Sequence, residues 1–281
     1  MAEEGKSELN REFDVIELDL DDLEQIPKDR KRFSYIDDPE ELEARIRMER
    51  IFRLTDWFYE GRLNEQEFTE RVIPLTGVEV DPQGRLILYH ATTAEHLVEI
   101  MKAKAIKPSA ETGKRLWRTS HEESSTDEND LAKKRKVYLA RNENVSKIAH
   151  DFDASSIVFI LQVHVDTANL RPDEDNRTYK DKQWAESLVN GFKTASYEGT
   201  ITDFSVAART SPLLASKYAH QFLDREVKAS DQDEKSKIHA EYQATLDTIL
   251  ARDTRNLQQV GVNVSQIPVV ADLAPINRIA K

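Results

Sequence analysis

The chain contains no cysteine, which excludes disulfide staples, thiolate metal sites and a cysteine nucleophile together. No apolar stretch approaches the roughly 20 residues that a helix needs to cross a bilayer. The acidic opening Met1-Ala2-Glu3-Glu4-Gly5 lacks the basic and apolar regions of a secretory leader. The sequence therefore predicts a soluble protein with no membrane partner, in the cytoplasm of a bacterial or phage-infected cell or in a virion. Basic character is short as well: 40 Lys and Arg stand against 52 Asp and Glu, a formal net charge of −12. That is the wrong sign for a general nucleic-acid binder, although it leaves room for a local basic patch. No internal repeat, P-loop or glycine-rich dinucleotide fingerprint occurs. His121 stands beside Glu122 and Glu123 without a second histidine at ligand spacing, so no metal site is assigned.

What the sequence does have is one stretch that organises the rest, residues 85–108. Leu86, Ile87, Leu88 and Tyr89 form a short apolar run that suits a buried strand. Thr92 can cap the helix that follows, with Glu95 three residues on completing a capping box. Leu97, Ile100 and Met101 then recur at helical spacing and mark its buried face, and Pro108 stands beyond its end. His90 and Thr92 are left at the mouth of a strand-to-helix corner, where a rigid scaffold can present side chains to a ligand.

Tyr89-His90-Ala91-Thr92 followed by such a helix resembles the first motif of ADP-ribosyltransferase-fold proteins, in the branch holding diphtheria-toxin-like enzymes and RNA 2′-phosphotransferases. Val137-Tyr138-Leu139-Ala140, a strand with a tyrosine and a helical pattern (Val145, Ile148, Ala149) behind it, resembles the second motif. Ala195-Ser-Tyr-Glu-Gly-Thr-Ile201 resembles the third, with Glu198 where the family carries a glutamate near the start of a late strand. The resemblance covers roughly residues 78–206. It implies an α+β fold with a split β-sheet core, and NAD as the substrate taken in place of a resident cofactor. It implies that His90 and Thr92 hold the adenosine-side ribose and that Tyr138 stacks on nicotinamide. Glu198 would bind the nicotinamide ribose and stabilise the ribosyl cation, in the manner of glycosidase carboxylates. Read without the family, Tyr138 is equally a half-buried strand tyrosine and Glu198 a solvent-facing strand residue. Ser196 stands two residues before Glu198, where arginine-modifying relatives carry a second acid or Gln.

The remaining segments read as additions to that domain. Residues 1–37 form a charged arm. Residues 38–77 form a helical hairpin: Asp38-Pro39-Glu40-Glu41 opens its first helix and Gly61 ends it. Asn64 with Glu67 caps the second helix, and Leu63 with Phe68 staples it. The cluster Trp57, Phe58, Tyr59 is a packing surface before it is a binding face. Val78-Glu-Val, Asp81-Pro-Gln-Gly84 and Leu86-Ile-Leu make a hairpin signature. Ser156 to Asp166 is the strongest strand, and His164 within it reads as a strand-face residue. Trp184, Leu188 and Val189 mark a short helix. Residues 207–260 form a helical extension that starts at Ser211-Pro212 and runs as two helices or one bent one. In the extended tail, 261–281, Val260, Val262 and Val264 lead in with strand-like alternation.

The expected function is an NAD-dependent ADP-ribosyltransferase that cleaves the nicotinamide–ribose bond and passes ADP-ribose to an unidentified protein or nucleic-acid acceptor. Two alternatives accompany it. One is a catalytically inactive structural module, such as a phage virion component, whose helices and tail make a homo-oligomer or assembly contacts. The other is an RNA 2′-phosphotransferase-like enzyme, for which Arg115, Arg118, Arg141 and Arg209 are the candidate pocket arginines.

Overall fold

The computed structural model describes residues 36, 38–108, 136–142, 155–173, 183–189, 193–214 and 216–270. These form a mixed fold of six α-helices and one open, six-stranded antiparallel sheet. The strands are β1 (Leu86–Thr93), β2 (Lys136–Ala140), β3 (Val158–Val165), β4 (Leu170–Pro172), β5 (Thr194–Glu198) and β6 (Phe204–Arg209). The helices are α1 (Pro39–Tyr59), α2 (Glu65–Thr76), α3 (Ala94–Ala103), α4 (Trp184–Val189), α5 (Ser216–Lys228) and α6 (Gln232–Gln258).

The strand order is β4-β5-β2-β1-β3-β6. Pairing is very uneven along it. β1 pairs with β3 through all eight of its residues, from Leu86↔Val165 to Thr93↔Val158, and β2 pairs with β5 through five. Between β1 and β2 the register is carried by a single pair, Tyr89↔Ala140. The sheet is therefore two three-stranded halves joined at one rung.

Side chains alternate across a strand, and here the alternation decides where the core lies. Leu86 and Leu88 on β1, Phe159, Leu161, Val163 and Val165 on β3, and Val137 and Leu139 on β2 are all buried. They share one cluster with Ile51, Leu54, Phe68 and Val72 of the helical hairpin. Burying one such Leu or Ile side chain contributes about 1.5–3 kcal/mol, so the hairpin is held to this face chiefly by apolar contact.

The local signals of the hairpin are met. Helix α1 begins at Pro39, and α2 carries the reciprocal capping box between Asn64 and Glu67. Both staple residues, Leu63 and Phe68, are buried. Trp57 is core, whereas Tyr59 is exposed. The Asp81–Gly84 turn closes through Gly84 N–H to the Asp81 carbonyl at 2.9 Å, and Val80 bridges Leu86.

Two expectations fail, one through contact with distant chain and one through a local turn. Ser211-Pro212 does not open a helix: Leu213 bridges Ser156 with two 3.0 Å backbone bonds, and α5 starts at Ser216. Nor do residues 260–264 form a strand. Gly261 turns with a positive φ of 78°, and the Asn263 side chain caps a 3₁₀ turn at Val264–Gln266. The extension is two helices, with α6 capped by Asp231, whose side chain accepts from the Glu234 amide. Asp253 ties α6 to the sheet by accepting from the Ile157 amide at 2.8 Å and the Ser156 hydroxyl at 3.0 Å. The tail then runs beside β6, where Val269 pairs in parallel with Arg209.

Candidate functional site

The corner between β1 and α3 differs from its expected form by one residue. Thr93, not Thr92, is the helix cap. Its hydroxyl accepts from the His96 amide at 3.5 Å and lies 2.9 Å from His96 Nδ1. Thr92 stays in the strand because β1 remains paired with β3 through Thr93↔Val158. The cap shifts, and Thr92 is released from that role. Its side chain is buried and its hydroxyl has no hydrogen-bond partner among the described residues.

His90 sits two residues before Thr92, so the two share the β1 face that carries Leu86 and Leu88. The ring is 9% exposed, and its Nδ1 lies 3.0 Å from the Tyr138 backbone carbonyl across the seam. A carbonyl only accepts, so Nδ1 carries the proton and Nε2 the lone pair in the neutral ring. Burial pushes the His90 pKa below the usual histidine range, against the opposing hydrogen bond to Tyr138 and with a small further push from His96. The imidazole is thus held neutral with Nε2 as an acceptor. Among the described residues Nε2 makes no hydrogen bond.

Tyr138 and Glu198 belong to the other half-sheet. The register Tyr138↔Ser196 and Lys136↔Glu198 puts Tyr138 and Glu198 on one face of the β2–β5 pair. Val137 and Leu139, on the opposite face, join the core. Glu198 is the last residue of β5, not near the start of a strand, and Gly199 follows it with φ +117°. Its carboxylate is 45% exposed and is held by Arg171 Nε at 3.2 Å and Lys136 Nζ at 3.9 Å. The structure therefore brings His90 to the backbone of Tyr138 and groups Tyr138 with Glu198. It leaves His90 and Thr92 on the core-facing side of β1, and only the split between β1 and β2 connects the two pairs.

Of the candidate arginines, Arg209 is committed to backbone, donating to the Val264 carbonyl at 3.1 Å and the Thr210 carbonyl at 3.3 Å. The Arg141 side chain has no hydrogen bond or ion pair among the described residues. Arg115, Arg118, His121 and the helix expected around Ile148 lie outside the described residues.

Sequence reasoning missed a polar network at the foot of β1 and β3. The buried Asp81 carboxylate accepts from His164 Nδ1 at 2.9 Å, Arg85 Nε at 2.9 Å and the Gln83 and Arg85 amides. Arg85 reaches on to Asp203 at 2.7 Å. Burial acts to raise the Asp81 pKa, but the hydrogen bonds from His164 and Arg85 outweigh it and hold the carboxyl well below the usual range. The network pins the turn before β1 to β3 and to the entry of β6. A cleft of about 310 Å³ also lies between the hairpin and the β4 edge, lined by Phe58, Tyr59, Thr69, Arg171 and Trp184. None of His90, Thr92, Tyr138 and Glu198 lines it. No group of three or more metal-ligating side chains occurs among the described residues, and no helix there is long and apolar enough to cross a membrane.

No family model, no curated protein and no solved structure matches the chain.

Proposed function

We propose that the chain binds NAD in the split between β1 and β2, cleaves the nicotinamide–ribose bond and transfers ADP-ribose to a protein or nucleic-acid acceptor. The observation that carries this reading is the pair of unused polar groups on β1. A neutral His90 offers Nε2 as an acceptor, and two residues on the Thr92 hydroxyl is buried without a partner among the described residues. An unsatisfied buried hydroxyl costs about 1–3 kcal/mol, and a ribose, with adjacent hydroxyls that both donate and accept, satisfies both groups at once. The division of the sheet at one rung supports an ADP-ribosyltransferase-like fold, since a split of this kind is what the resemblance implies.

In this reading Tyr138 supplies a flat ring for nicotinamide. The carbon–nitrogen bond breaks with its electron pair leaving on nicotinamide, and the ribosyl carbon gains oxocarbenium character. Glu198 accepts from the ribose 2′-hydroxyl and stabilises that charge, which helps only because the charge is greater in the transition state than in the ground state. The acceptor's nucleophile then bonds to the same carbon and loses its proton. For this role Glu198 exchanges part of its pairing with Arg171 and Lys136 for the ribose.

That pairing favours a second reading, a domain of the same fold that binds without turnover, because two cations already neutralise the carboxylate. Nicotinamide release by the purified full chain, alongside His90→Ala and Glu198→Ala, separates the two. Transferase activity requires release by the wild type that collapses in both variants. NAD binding by calorimetry without release leaves the binding module, and absence of both sinks the NAD reading.

A further inference from the structure

We propose that Arg47 and Arg141 together form a binding site for a phosphate-type anion at the C-terminal end of α2. Arg141 follows Ala140, and its amide donates to the Lys193 carbonyl at 3.0 Å, so the β2–β5 ladder runs one residue past the strand. This fixes the backbone from which the Arg141 side chain extends. The side chain reaches Gly77, the left-handed cap of α2 with φ 65°. A Cβ on Gly77 would stand 3.1 Å from Arg141 Nη2 and 3.7 Å from Arg47 Nη1. Two guanidiniums from different parts of the chain thus converge on one spot.

Their charges are poorly compensated. Arg47 Nη2 has one ion pair, 3.4 Å from Glu43, whose side chain is 71% exposed, and a pair that open contributes little. Arg47 Nε is buried without a hydrogen-bond partner among the described residues. Arg141 is half-buried, and its guanidinium has no ion pair or hydrogen bond among the described residues. Burial and the nearby Arg47 charge both act against its protonated form, yet a guanidinium stays charged in a protein. The negative end of the α2 dipole attracts cations, and this accounts for one guanidinium near the helix end. It does not account for two that make no hydrogen bond to a carbonyl among the described residues.

An anion between them resolves the arrangement. Guanidinium forks match phosphate oxygens two at a time, and two forks at one point suit a group carrying more than one charge. Strand spacings put the Arg141 Cα roughly 8 Å from that of His90, two residues along and one strand across. The phosphate can therefore belong to a nucleotide lying along β1 or to a separate phosphorylated molecule. Either way Arg47 brings the helical hairpin, which lies outside the family resemblance, into ligand binding. The site stands on its own geometry, whether or not the chain turns over NAD.

The test is calorimetry and thermal melting of the full chain with inorganic pyrophosphate and, separately, ADP-ribose. The variants are Arg141→Gln, Arg47→Gln, Arg141→Lys and His90→Ala. The expected result is pyrophosphate binding by the wild type that weakens ten-fold or more in each glutamine variant and recovers partly in Arg141→Lys. Without anion, Arg141→Gln melts at or above the wild-type temperature, because a like-charge contact has been removed. ADP-ribose affinity that falls in both Arg141→Gln and His90→Ala identifies one ligand spanning both places. ADP-ribose affinity that falls only in His90→Ala, with pyrophosphate affinity falling only in the arginine variants, identifies a separate phosphorylated molecule. Pyrophosphate that fails to bind, or binds wild type and both glutamine variants equally, overturns the proposal. Loss of nicotinamide release has no bearing on it, so failure here and failure of the NAD reading are distinguishable.

Discussion

Replacing Thr92 by valine separates what the hydroxyl does for the fold from what it does for a ligand. The side chain is 1% exposed and its oxygen has no partner among the described residues. Leaving such a group unsatisfied costs about 1–3 kcal/mol. Valine keeps the β-branched shape that suits a strand and replaces the hydroxyl with a methyl. Recovering even the lower part of that penalty raises the unfolding free energy by about 1 kcal/mol. In a chain of this size that is a rise in melting temperature of about 2–4 °C. Urea unfolding followed by far-ultraviolet circular dichroism reads the same change as a higher midpoint at constant slope. The same substitution removes a hydrogen bond from a bound ribose, and at about 1 kcal/mol per bond ADP-ribose affinity falls roughly five-fold. A valine variant destabilised by 1 kcal/mol or more would refute the reasoning, because the hydroxyl must then have a partner in the free protein. A stabilised variant with unchanged ADP-ribose affinity would refute the ligand half alone.

Two further outcomes concern the scaffold. Asp253→Ala removes the acceptor for the Ile157 amide and the Ser156 hydroxyl, both buried, and is expected to cost about 3–5 kcal/mol; equal urea midpoints for wild type and variant would show that α6 is not held at this point. The Asp81 carboxyl has a folded pKa below its unfolded value. Its contribution to stability is therefore present above the ordinary carboxylate range and lost as the pH falls below about 4. Urea midpoints measured at pH 7, 4.5 and 3.5 should drop more steeply in the wild type than in Asp81→Asn, whose acid limb is flatter; parallel curves would show that Asp81 does not drive the acid transition.

Much of the hairpin and of β1 was legible because those signals are local. The Asn64–Glu67 box, the stop near Gly61 and the Asp81–Gly84 turn each need only a few neighbouring residues. What was not legible depended on partners far along the chain. Thr92 and Thr93 are equivalent caps by sequence, and pairing with Val158 decides between them by extending the strand through Thr93. Ser211-Pro212 has the form of a helix start, but the ladder contact with Ser156 claims that stretch first. In the site, His90 was expected at the mouth of the corner, but β1 continues to Thr93 and leaves it inside the strand. Its contact with the Tyr138 backbone, not its ring, followed from the seam between β1 and β2. Asp81 and His164, 83 positions apart, and Arg47 with Arg141 carry no sequence signal linking them; only the fold puts them together. Glu198 was expected as a ribose-binding carboxylate or a solvent-facing strand residue, and the cations beside it come from β2 and β4, whose neighbourhood with β5 is a matter of topology.

The tail pairing at Arg209 has a consequence for self-association. An open sheet presents unpaired amides and carbonyls at both outer strands, and such rows template the addition of a strand from another molecule. Here the β6 edge is occupied at its last residue: the Arg209 amide donates to the Pro268 carbonyl and the Val270 amide to the Arg209 carbonyl, each at 2.9 Å. At the opposite edge β4 is three residues long and ends in Pro172, which has no amide to offer, while Arg171 donates its guanidinium to the Leu170 carbonyl at 2.8 Å. Intermolecular sheet growth is blunted at both ends by different means, proline and arginine on one side and the chain's own tail on the other. Losing the 268–270 segment would uncover Arg209 and lengthen the open edge that β6 offers to a strand of another molecule.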